Sequence, residues 1–358
     1  MADSALLEPR LSIDLDALAS NYQTLSRRSG KARAGAAVKA NAYGLGASQI
    51  SKRLLKEGCR DFFVATPFEG QSLRKDLKTN DANIYVLGGY RDALKPVFTE
   101  HKLIPILNQL GEARDYLAAP TGKSVLHFDT GMNRLGIGKY DIPALQEIGM
   151  NRLDTVLIMS HLSCADEPGN PQNIKQRDAF ALLRAMHSEI PASLSNTCGI
   201  YLGDDFHFDL TRPGIGLYGS VGGQDLDHGL SPTVWLDAPV LQVRDIHPGD
   251  SVGYGQTFVT DQVRRIAIVG AGYADGLPRA LSNRGRAFIE GQAAPIIGRI
   301  SMDLTALDVT DCPAAQINAT ARFIGPDLDE IAETAHTLAY EILTGLSPRA
   351  RRDYSGTR

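Results

Sequence analysis

Between residues 34 and 218 short apolar runs alternate with stretches in which apolar positions recur every three or four residues. A run of four to six apolar residues bounded by Gly, Asp or Asn reads as a strand buried on both faces, and the longer recurrence reads as an amphipathic helix. Strands are predicted over GAAVKA (35–40), DFFVA (61–65), NIYVL (83–87), KLIPI (102–106), SVLHF (124–128), DTVLIMS (154–160), ASLSN (192–196) and GIGLYG (214–219). Helical stretches lie between them, as at 48–57 and 172–189. Eight strands alternating with helices over about 200 residues predict a TIM (β/α)8 barrel. The alternative, an open doubly wound sheet, lacks a GxGxxG after an early strand. Beyond about residue 225 the texture changes: VWLDAPVLQV, RRIAIVG, RAFIE, APIIG and MDLTALDV are strand-like, with turns such as HPGD and little helix before 327–343. The fold class is therefore α/β, a barrel over 11–225 followed by a mainly-β C-terminal domain over 226–358, with residues 1–10 expected to pack with the latter.

Composition supports two ordinary globular domains. The 358 residues exceed what one core usually organises, and the 43% apolar and 22% charged content is average. A net charge of -4 gives no basic surface for nucleic acid or an anionic membrane. Arg349, Arg351, Arg352 and Arg358 read as a solvated end. Cys59, Cys164, Cys198 and Cys312 are too scattered for a CxxC pair and read as reduced thiols. MADSALLEPR has no basic-then-apolar pattern and no run approaches a bilayer span, so a cytoplasmic protein is expected. No His, Cys and carboxylate set has metal-ligand spacing.

The chemistry concentrates at predicted strand ends. Lys39, in AVKANAYGLG, stands where the first strand stops. An amine held there partly out of water loses its preference for the ammonium form. A neutral amine can form a Schiff base with an aldehyde or take a proton from carbon. Tyr43, Gly44 and Gly46 follow, opening a helix that could receive a phosphate. Arg134 in DTGMNRLG follows the fifth strand, His161 the sixth, Asn196 and Thr197 the seventh, and Arg212, Gly214 and Ile215 flank the eighth. All fall at the end of a barrel where active sites are built.

These strings, with VGYGQTF, GYADGLPR and GRISMD downstream, resemble the alanine racemases over nearly the full length. The resemblance implies a pyridoxal 5'-phosphate enzyme in which Lys39 carries the cofactor and acts as one base, and Tyr254 is the second. It implies phosphate ligands at Tyr43, Thr197, Gly214 and Ile215, with Asn196 alongside, and Arg212 on the pyridine nitrogen. His161 would lie between Arg212 and Tyr254 and help a cationic network lower the phenol's pKa. Arg134, Met302 and Asp303 are implied to bind the substrate, and Tyr273 and Arg279 to line its entrance. A homodimer with shared active sites, making D-alanine for peptidoglycan, is implied as well. Two positions depart from the family. His127 stands where many members carry a carbamylated lysine that fixes the arginine equivalent to Arg134. Ala350 stands where a tyrosine usually closes the phosphate site, which predicts weaker cofactor retention or a wider entrance. Racemisation of serine or a broader set of amino acids, and a non-catalytic role in binding the cofactor, are the alternatives.

Overall fold

A computed structural model describes residues 8–222 and 228–356. Strands at Ala36–Ala37, Asp61–Val64, Asn83–Val86, Ile104–Leu107, Ser124–His127, Thr155–Met159 and Ala192–Ser193 run parallel in sequence order. Most of their residues are buried whichever way they point, so each strand reads as an unbroken apolar run. The two-residue strand Leu210–Thr211 closes the sheet. Asp209 donates its N–H to Ala192 O (2.9 Å) and Arg212 to Ser195 O (2.8 Å) on one side; Gly35 donates to Thr211 O (2.9 Å) and Ala37 to Pro213 O (2.8 Å) on the other. The eighth strand thus lies between the seventh and the first, and the barrel is complete. Phe63, Tyr85, Ile106, Val125, Leu157 and Met159 pack its interior, so the barrel has a solid core and function is confined to its ends.

Two expectations fail here. The run 214–219 is no strand: Ile215–Tyr218 forms a 3-10 turn, and the eighth strand is Leu210–Thr211. Pro213 has no N–H with which to extend the ladder, and the buried side chains of the following turn imitate a strand's apolar run. The first strand likewise ends at Ala37, before Lys39 and Ala40. The helices Ala47–Lys56 and Pro171–Met186 form close to their predicted places, the latter started by Asn170, whose side chain accepts the Gln172 N–H (3.0 Å). The segment 327–343 forms two helices, Leu328–Thr334 and Ala339–Gly345, separated at His336 with φ 53°.

The chain divides into two compact units, residues 18–230 and the remainder. In the second, the long strand Val234–Ile246 pairs antiparallel with Arg10–Asp14 and Thr320–Ile324, then with Arg264–Val269. It changes partner around Pro239 and Val240, with register shifts between Leu236 and Asp237 toward one neighbour and between Val240 and Gln242 toward the other. Arg10–Asp14 also pairs in parallel with Arg351–Ser355, so residues 11–14, grouped with the barrel on the sequence, are held in this unit's sheet. The expectation for residues 1–7 lies outside the described residues. Among the described residues no helix is long and apolar enough to cross a membrane.

Candidate active site

Lys39 sits at the rim of the barrel, one residue past Val38, whose N–H bonds to Phe63 O (2.9 Å). The next four residues, Ala40, Asn41, Ala42 and Tyr43, have φ of 51°, 54°, 52° and 56°, a full left-handed turn built without glycine. Such residues cost about 1–2 kcal/mol each, so the turn persists only because specific bonds hold it. Ala42 donates to Val38 O (2.9 Å), Gly44 to Ala40 O (2.8 Å) and Gly46 to Asn41 O (2.9 Å). Asn41 Oδ1 accepts the Ala47 N–H (2.9 Å). Glu69 clamps the turn from outside: Oε1 accepts the Ala40 N–H (2.9 Å) while Oε2 accepts that of Ala65 (2.7 Å). The turn carries both Lys39 and Tyr43, so it fixes amine and phenol relative to one another. Burial lowers the Lys39 pKa, the Arg134 guanidinium lowers it further, and Glu69 opposes both. Desolvation and the neighbouring guanidinium thus both ease loss of the amine's proton.

Tyr43 is buried, which pushes its pKa up and keeps its hydroxyl a neutral donor. A Cβ at Gly214 would come within 2.3 Å of that hydroxyl, so only glycine fits there. Thr197 Oγ1 accepts the N–H groups of Gly214 (2.9 Å) and Gly216 (3.1 Å), leaving its own hydrogen available to donate. The Ile215 N–H has no partner among the described residues. Two hydroxyls and an amide against a glycine make a cradle suited to phosphate oxygens. Asn196 contributes indirectly: its Oδ1 accepts the Gly199 N–H (2.9 Å), capping the short helix that begins at Thr197.

Arg212, 5% exposed, is held on Ser193 Oγ, Ser160 O (2.7 Å), Leu194 O (3.1 Å) and His161 Nδ1 (3.3 Å). Burial lowers its pKa to about 9, so it stays a cation at neutral pH. His161 does not share that charge. Burial, then the Arg212 cation, drive its pKa well down, and an imidazole accepting from a guanidinium at Nδ1 carries its hydrogen on Nε2. The positive charge expected of Arg212 and His161 together is thus Arg212's alone. Arg134 is exposed at the tip of the loop after Ser124–His127, with no hydrogen-bond or ion-pair partner among the described residues.

The second unit places the remaining residues on its own surface. Tyr254, 72% exposed, begins a 3-10 turn flanked by Gly253 (φ 73°) and Gly255 (φ 72°), where a Cβ at Gly255 would lie 2.8 Å from Arg299 Nη1. Met302, 54% exposed, and the exposed Tyr273 meet where Tyr273 and Ala274 donate to Ser301 O (3.0 Å) and Met302 O (2.9 Å). The half-exposed Asp303 carboxylate is paired with Arg349 (2.8 Å), which also grips buried Asp275 (2.6 and 2.8 Å). Arg279 is exposed at the start of a 3-10 turn. Ala350 is fully buried, so a tyrosine there would overpack the unit. Tyr354 lies half-buried in the terminal strand, opposite Ile13.

Residues 13–221 match the family described as Alanine racemase, N-terminal domain, and residues 233–354 match Alanine racemase, C-terminal domain. The chain belongs to the alanine racemase family. Alanine racemase of Rhodospirillum rubrum is 42% identical over 97% of this chain and 96% of its own length, and that of Brucella canis 41% over 96% and 93%. Among solved structures, alanine racemase of Bartonella henselae with covalently bound pyridoxal phosphate superposes with a TM-score of 0.92 at 35% identity, covering 97% of this chain and 99% of that one. The biosynthetic alanine racemase of Pseudomonas aeruginosa gives 0.90 at 31%, covering 98% and 99%. Within this alanine racemase fold, sequence reasoning missed Glu69, Asn108 and Ser193. Glu69 had a visible signal, since Thr66-Pro67-Phe68-Glu69 spells a capping box and the structure forms one. Ser193 had none.

Proposed function

We propose that the protein interconverts L- and D-alanine as a cytoplasmic homodimer, with pyridoxal 5'-phosphate held by Lys39, and supplies D-alanine for peptidoglycan. The observation that carries this reading is the convergence at one barrel mouth of an amine with a lowered pKa, a glycine-floored cradle and a buried arginine. These residues fit the cofactor: Tyr43, Thr197 and Ile215 would donate to its phosphate beside Gly214, and Arg212 would donate to its ring nitrogen. When bound, the cofactor withdraws electrons from the Cα–H bond of an attached amino acid. A guanidinium gives up no proton to a ring nitrogen, so the ring stays uncharged and a weaker electron sink, which disfavours side reactions.

Inverting a stereocentre takes one base on each face, because a single fixed base tends to return the proton where it found it. Lys39 serves one face. Tyr254 is the candidate for the other; its exposure supports a role against a partner subunit's barrel. A phenol is a poor base at neutral pH. The fixed charge of Arg212 would make the phenolate more accessible, with neutral His161 relaying the hydrogen bond. Arg134 is left to hold the substrate carboxylate, with Met302 and the Asp303 backbone at its far side and Tyr273 and Arg279 at the entrance. Chiral chromatography of purified protein incubated with L-alanine and added cofactor tests the proposal. D-alanine accumulating until the two forms are equal is expected, and L-alanine persisting unchanged would overturn it.

A further inference from the structure

Tyr273 and Met302 lie on two turns, 272–276 and 301–304, that are joined backbone to backbone. Tyr273 donates its N–H to Ser301 O (3.0 Å) and Ala274 donates to Met302 O (2.9 Å). A Cβ at Gly272 would strike those same two carbonyls, so glycine is what lets the turns meet. A pair of backbone hydrogen bonds between turns this exposed is a weak tie by itself, because water competes for each.

Arg349 reaches both turns from a third segment. It belongs to the arginines that the sequence groups as a solvated end, yet its guanidinium is engaged on both edges. Nε and Nη2 grip the two oxygens of Asp275 (2.6 and 2.8 Å), and Nη1 lies 2.8 Å from Asp303 Oδ1. Asp275 is fully buried, and its Oδ2 also accepts the Gly272 N–H (2.8 Å), so this carboxylate closes the Tyr273 turn upon itself. Asp303 is half-exposed and follows Met302 directly. One planar fork thus joins the inside of one turn to the tip of the other. The segment that delivers it is itself pinned. Ser347 donates its N–H to Asp275 O (3.2 Å), and Arg352 donates to Leu346 O (3.3 Å), Ser347 O (3.1 Å) and Ala350 O (3.2 Å). A Cβ at Gly276 (φ 107°) would lie 2.8 Å from Gly345 O, so the Tyr273 turn rests directly on this segment.

We propose that Arg349 is a positioning residue for the substrate: by bridging Asp275 and Asp303 it holds Tyr273 and Met302 in one fixed arrangement and so sets how tightly the amino acid is held. This rests on the substrate-facing roles of Tyr273 and Met302 given above. A lysine at 349 would keep a cation beside buried Asp275, but a single ammonium has no planar fork with which to span two carboxylates. The residues assigned to the cofactor, Lys39, Tyr43, Thr197, Arg212 and Ile215, all belong to the other compact unit, so a loosened bridge should leave cofactor binding unaltered.

Arg349→Lys in the full-length protein tests the bridge. Amide hydrogen exchange over 270–277, read by mass spectrometry, should quicken about tenfold as the N–H groups of Tyr273 and Ala274 are released, with the bound-cofactor absorbance unchanged. In the racemase assay KM for alanine should rise about tenfold, the value of one hydrogen bond to a charged group, while kcat changes less than about twofold. A folded Arg349→Lys with the parent's exchange, or with the parent's KM, overturns the proposal. Asp303→Ala leaves the Arg349–Asp275 pair in place and carries the same test should the lysine variant fail to fold; exchange and KM should both rise, and parental values overturn the proposal equally. Because the two substitutions cut one bridge, the double variant should have a KM within about twofold of the worse single variant. Penalties that multiply would mean that Asp303 acts without Arg349, which also overturns it. A parent protein that makes no D-alanine would overturn the racemase reading instead, and the exchange rates then decide the bridge by themselves.

Discussion

Arg212 fixes a positive charge inside the barrel, and the nearby histidines are held without theirs. His127 has its pKa lowered to about 4, by burial first and the Arg212 cation second, and His161 is shifted the same way for the same causes. In the unfolded chain both rings would protonate near pH 6.5, so between that value and about 4 the unfolded state binds more protons than the folded one. Stability therefore rises with pH through this window and is lost on acidification, by about 3 kcal/mol for His127 and in the same direction for His161. Urea midpoints recorded from pH 7 to 4 should fall accordingly. His127→Gln, which has no ring to protonate, should flatten part of that fall. A variant curve as steep as the parent's would place the acid sensitivity elsewhere.

The left-handed turn Ala40–Tyr43 is the element on which the site is built, and nothing in Ala-Asn-Ala-Tyr announces it. None of these residues is glycine, so the conformation is imposed by tertiary bonds, and sequence pattern is blind to those. Glu69 accepts from Ala40, Ala65 and Thr66 at once. Removing it in Glu69→Ala should lower stability by about 2–3 kcal/mol and speed cofactor loss, because Lys39 and Tyr43 depend on one turn. Glu69→Gln, with one acceptor oxygen left, should fall between. Urea midpoints and the bound-cofactor absorbance after gel filtration check both; an unchanged midpoint for Glu69→Ala would mean that the turn's backbone bonds suffice. The other strands were legible because parallel strands buried on both faces leave apolar runs. The eighth was misplaced because two residues, Leu210–Thr211, leave no periodicity to read, while the neighbouring 3-10 turn is uniformly apolar. Lys39 and His161 follow strands where the apolar runs placed them, whereas Arg212 follows Leu210–Thr211 instead of preceding a strand at 214–219. The neutrality of His161 and the clamp from Glu69 follow from burial and hydrogen bonds, which a linear pattern does not encode.

At the scale of the molecule, the two proposed bases belong to different compact units, Lys39 to residues 18–230 and Tyr254 to the unit that includes residues from 231 onward. Tyr254, Tyr273 and Met302 are all exposed on one subunit, a surface that a partner's barrel could cover. If each phenol works against a partner's lysine, two inactive variants should repair one another. Lys39→Ala contributes an intact Tyr254, and Tyr254→Phe contributes an intact Lys39. A two-fold dimer containing one of each then has one site with both bases and one with neither, so it should recover about half the turnover of the parent dimer. Co-expressing the variants with different affinity tags and isolating the mixed dimer gives the measurement directly. Bases drawn from the same chain would leave both sites of that dimer damaged, with activity no higher than the mean of the two variants. Recovery of turnover would place the tyrosine across the subunit boundary and make dimerisation a condition of catalysis.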